Sequence, residues 1–149
     1  MLYEEIENLI KDEKNFPEIF KLLTEDIKQV EYYTNMVAKN SLATNGEEVM
    51  EAMNKLNGAY NRLSVASKIA DSEKKGRQEQ KQNTIKIDGG VDGKKVTDGD
   101  AKNQASAYAQ PYRRLRNILS AYANDADKSI SNLQSILKYL GITYHKPSE

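Results

Sequence analysis

The chain has no cysteine, one histidine and no apolar run of membrane-spanning length. Without cysteine there are no disulfides, no thiolate zinc sites and no thiol nucleophile. The lone histidine, His145, lies in a polar tail with no Ser or Cys nucleophile in a recognisable context, so a catalytic triad has no support. No catalytic residue, cofactor or metal ligand is therefore expected, and the protein reads as a non-enzyme. Asp88, Asp92, Asp98 and Asp100 cluster with glycines, but an EF-hand loop opening at Asp88 needs an oxygen ligand at position three and Glu at twelve. Those positions hold Gly90 and Gly99, so the acidic cluster reads as turn chemistry. The first residues, Met1-Leu2-Tyr3-Glu4-Glu5, are acidic where a secretion signal is basic. With no membrane-length segment, a soluble cytoplasmic protein without a membrane partner is expected.

What is present is charge and helical periodicity. Of 149 residues, 30% are charged and 38% hydrophobic, a balance that suits long helices with narrow buried seams. The size fits a single domain. Formal net charge is zero, yet residues 1–50 carry 5 Lys/Arg against 11 Asp/Glu while residues 51–149 carry 17 against 11. An acidic first third and a basic remainder can pair between subunits or reserve one surface for a polyanion.

The strongest pattern runs from Tyr108 to Leu140. Tyr108, Tyr112, Leu115, Leu119, Tyr122, Ala126, Ile130, Leu133, Leu137 and Leu140 recur at steps of 4-3-4-3-4-4-3-4-3, a heptad seam with one stutter between Ala126 and Ile130. One helix over residues 98–140 is predicted, opened by Thr97 and the acidic Asp98 and Asp100, and closed by Gly141. Its stripe needs partner helices from this chain or from other copies. Homo-oligomerisation, with a ring as one form, is expected.

Upstream, a first helix is predicted over Leu2 to Lys14 and a second from Phe16-Pro17 to Asn40, with Phe20, Leu23, Ile27, Val30, Thr34 and Val37 in its seam. Together, residues 1–41 form acidic N-terminal helices. Thr44-Asn45-Gly46-Glu47 fits a capping box for a long helix over 46–82. That helix carries Val49, Met53, Leu56, Tyr60, Leu63, Ser67 and Ala70 in its seam, and fraying is expected around Gly76. Residues 83–97 read either as a small hairpin, with Thr84-Ile85-Lys86-Ile87 and Lys94-Lys95-Val96-Thr97 as strands, or as a loop. Residues 141–149 form a tail. The fold class is all-α: a long antiparallel helical hairpin, coiled-coil-like, with short N-terminal helices.

The basic groups are the candidate binding residues. Lys74, Lys75, Arg77, Lys81, Lys86, Lys94 and Lys95 bracket the glycine-rich segment, and Arg113, Arg114 and Arg116 lie in the final helix beside Tyr112. From Lys55 to Arg116 there are 14 Lys/Arg against 7 Asp/Glu. Cations spaced along a groove neutralise phosphates without reading sequence, and aromatic rings beside them stack bases. The competing reading is a solvated helix face, with Tyr108, Tyr112 and Tyr122 in the core seam.

The order of parts resembles the phage recombination mediators of the UvsY type. The residues that carry the resemblance are Tyr112 to Leu140, YRRLRNILSAYANDADKSISNLQSILKYL, and Lys74 to Gly90, KKGRQEQKQNTIKIDGG. It implies an oligomeric helical protein that binds single-stranded DNA and helps a RecA-type recombinase replace single-strand-binding protein. The family's basic helix before a glycine turn corresponds to Lys74, Lys75, Arg77 and Lys81. Its aromatics before that turn are replaced here by Thr84-Ile85-Lys86-Ile87. Two other readings stand beside it: an oligomeric phage structural or assembly protein, and a prefoldin-like holdase.

Overall fold

The computed structural model describes residues 1–39, 45–87 and 97–141, with only the backbone of Ile87. It is all-α, with no strand among the described residues. The helices are α1 (Leu2–Leu9), α2 (Phe16–Leu22), α3 (Thr24–Ala38), α4 (Gly46–Ile87), α5 (Asp98–Tyr108) and α6 (Gln110–Tyr139), with a 3-10 turn at Glu13–Asn15.

Four boundaries differ from expectation, each for a local reason. The first helix stops at Leu9, because Asp12 takes an extended conformation and its carboxylate accepts from the Lys14 N–H at 3.0 Å, capping the 3-10 turn instead. The second is interrupted at Leu23, where the Leu23 N–H bonds back only three residues, to Phe20, and the Thr24 hydroxyl donates to the Phe20 carbonyl at 2.9 Å. The predicted strand Thr84–Ile87 is the last turn of α4. There the Thr84 hydroxyl donates to the Gln80 carbonyl at 2.9 Å, and four alternating residues do not outweigh an established helix. The helix also runs straight through Gly76. The final helix is two helices, α5 and α6, divided at Ala109. Pro111 has no N–H for the Ala107 carbonyl, and its ring opposes a continuous helix there. Residues 94–96 of the other predicted strand, and Thr44 of the capping box, lie outside the described residues. So do Asp88, Asp92 and His145.

Thr97 and Gly141 cap as predicted, while α4 opens on Asn45, one residue beyond the Thr44 of the capping box. Asn45 accepts from the Glu48 N–H at 3.2 Å to open α4, and Thr97 accepts from the Asp100 N–H at 3.1 Å to open α5. Gly141 follows α6 with φ +74, the left-handed cap that a side chain would resist.

Contacts divide the chain into two units, Met1–Ile19 with Ala66–Ile118, and Phe20–Val65 with Leu119–Glu149. In the first, the end of α4 runs antiparallel to α5 and the start of α6: Asp71 meets Arg116, Arg77 meets Tyr112, Lys81 meets Tyr108 and Lys86 meets Asp98. Its buried apolar residues are Ile6 of α1, Ile10 just after it, Ile19, and a run of alanines (Ala66, Ala70, Ala101, Ala105, Ala109) beside Tyr112 and Leu115. Phe16 packs edge-on against Tyr112, with ring centroids 5.2 Å apart.

The second unit holds the larger side chains: Leu23, Val30, Val49, Met53, Leu56, Leu63, Leu119, Ile130, Leu133 and Leu137 are all buried. Asp26, buried at 5% exposure, is gripped by Arg62 through contacts of 2.8, 3.0 and 2.7 Å. Part of the contrast between acidic first third and basic remainder is thus neutralised inside one chain. Thr34 keeps its seam place by sharing a 3.0 Å hydrogen bond with Ser129. Along α6 the buried apolar positions are Tyr112, Leu115, Leu119, Ala123, Ala126, Ile130, Leu133 and Leu137, with Ser129 buried beside them. The stutter therefore falls at Ala123. Tyr122 and Leu140, expected in the seam, are only half-buried, and the Tyr122 hydroxyl reaches Glu31 at 3.3 Å. Tyr108 is 47% exposed.

Candidate nucleic-acid interface

After Ala70 the seam of α4 changes chemistry while keeping its spacing. Its next positions are Lys74, Arg77 and Lys81, which project toward α5 and α6 where apolar residues would otherwise stand. Long cationic side chains can fill such positions because their methylene stems pack while their heads find partners.

Those partners are specific. Asp71 lies between three cations: Arg116 at 2.9 Å, Lys75 at 3.0 Å and Lys74 at 3.5 Å. The hydrogen bond from Arg116, then that from Lys75, holds its carboxyl well below the usual carboxylate range. Lys74 is nearly covered, with 12% of its side chain exposed, whereas Lys75 keeps 66% in solvent. Arg116 also donates to the side chain of its neighbour Asn117.

Arg77 is committed to structure on three sides. It pairs with Glu73 at 2.8 Å, donates to the Lys11 carbonyl and lies 4.4 Å from the ring centre of Tyr112. Burial pushes the Tyr112 phenol up, with the Arg77 charge pulling against it. Arg113 turns back across the α5–α6 break, donating to the Ser106 hydroxyl at 2.6 Å and its carbonyl at 3.3 Å.

The remaining candidates are freer. Lys81 sits 5.0 Å from the ring centre of Tyr108, and Lys86 makes an exposed 3.0 Å pair with Asp98. Arg114 is exposed and pairs with no described residue. The eight candidate cations thus fall into two groups. Lys74, Arg77, Arg113 and Arg116 knit the first unit together, while Lys75, Lys86 and Arg114 are exposed and Lys81 is half-buried over Tyr108. Lys94 and Lys95 lie outside the described residues.

Sequence reasoning missed Asp71 as the hub of this cluster and Tyr108 as an exposed ring. The first was legible, since Lys74 and Lys75 stand three and four residues beyond Asp71 on one helix. The second follows from Ala109, which takes the buried position next to Tyr108. No group of three or more metal-ligating side chains occurs among the described residues, and no described helix is long and apolar enough to cross a membrane. No protein family, curated protein or solved structure gives a match to this chain.

Proposed function

We propose that this chain is a non-enzymatic, single-stranded DNA-binding protein that acts as a phage recombination mediator. In that role it assembles as a homo-oligomer in the host cytoplasm and helps a RecA-type recombinase replace single-strand-binding protein. The observation that carries the DNA-binding part is the conversion of the α4 seam from apolar to cationic after Ala70. It places a half-buried Lys81 beside the half-exposed Tyr108, and Lys75 and Lys86 stand exposed on the same stretch of helix. Spaced ammonium groups beside an aromatic ring suit a flexible phosphate chain with unstacked bases. The recombinase and single-strand-binding protein enter through the resemblance of residues 112–140 and 74–90 to UvsY-type mediators.

A second reading has its own observation. Asp71 and Glu73 already neutralise four of the cations, as expected in an oligomeric structural or assembly protein whose charges serve packing. The holdase alternative needs a strand hairpin between its arms, and Thr84–Ile87, half of that hairpin, is helical.

Fluorescence anisotropy with a labelled single strand of about 30 nucleotides separates the two, because phosphate-driven binding is tight at low salt and steeply weakened by salt. Binding that is lost when Lys75, Lys81, Lys86 and Arg114 are replaced by Ala supports the mediator. No binding at low salt returns the protein to the structural class.

A further inference from the structure

Pro111 does more than divide a helix. At the break the buried seam passes through Ala105, Ala109 and Tyr112, so Tyr108, the last residue of α5, stands beside it with its ring 47% exposed. A pocket of about 490 Å³ opens there in the first unit, lined by Lys11, Asp12, Glu13, Arg77, Tyr108 and Tyr112, with Pro111 itself in the wall. We infer that this pocket takes one unstacked nucleobase of a bound single strand, its ring against Tyr108 and its phosphates on the Lys81 side. The inference rests on the single-stranded DNA reading and gives it a binding mode.

Four features favour a base over a phosphate as occupant. The pocket offers the half-exposed ring of Tyr108, the Tyr112 face being covered by Arg77, and a base is flat, polarisable and attracted to such a face. The Lys81 ammonium lies over the Tyr108 ring, 5.0 Å from its centre, so a strand with a base on that tyrosine brings its phosphates near a cation. The carboxylates of Asp12 and Glu13 in the lining repel a phosphate, whereas a neutral base tolerates them and offers amino groups they can accept from. Arg77 cannot serve a phosphate here without leaving Glu73, the Lys11 carbonyl and the Tyr112 face.

The test compares two single strands of equal length and equal phosphate number, one with bases and one built from abasic tetrahydrofuran units. The intact strand should bind the wild-type protein more tightly by about fivefold or more, the low end of base–aromatic stacking. Tyr108→Ala should bring that ratio close to one, and Tyr108→Phe should keep it. Because Tyr108 is half-exposed at a helix end, both variants should retain wild-type circular dichroism. Equal wild-type affinity for the two strands overturns the pocket while leaving phosphate-driven binding intact. A ratio that Tyr108→Ala leaves unchanged also overturns it, since the bases then bind elsewhere. Failure of the wild-type protein to bind either strand removes the DNA reading together with the pocket.

Discussion

Asp71 governs the electrostatics of the first unit, because one carboxylate orders Lys74, Lys75 and Arg116 at once. Its pKa is depressed on folding, so its stabilisation is fully present above the unfolded value, near 3.9. That stabilisation is lost as pH falls from about 5 through the unfolded value toward the folded one. With 28% of the side chain in solvent, screening keeps the contribution to roughly 1 kcal/mol. Asp71→Asn should therefore cost about that much at pH 7 and flatten the acid limb of the stability curve, read by urea unfolding at several pH values. An unchanged acid limb would show that other carboxylates set it. The same substitution frees Lys75 and adds a positive charge, so single-stranded DNA should bind more tightly than to the wild type.

Asp26 in the second unit is the opposite case, a carboxylate at 5% exposure with a bidentate arginine. Arg62→Ala leaves that charge buried and should destabilise by about 3 kcal/mol, a fall in Tm of very roughly 6–12 °C. A Tm within a degree or two of wild type would mean that water reaches Asp26 and the pair is a surface one.

At the scale of elements, α6 and the end of α4 show what periodicity reveals and what it hides. Leu115, Leu119, Ile130, Leu133 and Leu137 are buried as their spacing predicts, since an amphipathic stripe is a direct record of the buried face. Tyr122 is displaced by Ala123 because a bulky polar-tipped ring and a methyl compete for adjacent positions, and the tyrosine hydroxyl finds Glu31 at the surface. Spacing alone does not rank the two. Leu133→Ala should cost about 2–5 kcal/mol, equally at low and high protein concentration, because the leucine is buried within its own chain. A loss that disappears at high concentration would place that seam between copies.

The break at Ala109 was legible in Pro111, but a heptad pattern that continues through a proline masks it. Pro111→Ala restores the missing donor and should let one helix run from α5 into α6, slowing amide exchange across residues 109–113. Exchange unchanged by the substitution would assign the break to packing instead. The strand reading of Thr84–Ile87 failed for the converse reason, since β-branched residues at a helix end carry a weak propensity that a growing helix overrides.

For the whole molecule, the all-α class, the two long seams and the caps at Thr97 and Gly141 were legible because each is encoded within a few neighbouring residues. The candidate interface was legible only as a list of cations. Which of them are consumed by Asp71, Glu73, Ser106 and Tyr112 depends on contacts between residues far apart in sequence, and no local pattern reports that. The central claim is that the freer cations of the first unit bind the phosphates of a single strand. Its most direct test is the affinity of the wild-type protein for a single-stranded oligonucleotide as salt is raised. With contacts from Lys75, Lys81, Lys86 and Arg114, log K should fall against log salt with a slope of about −3 per chain engaged, at roughly −0.7 per phosphate. Absence of binding at low salt, or binding whose strength does not change with salt, would contradict it.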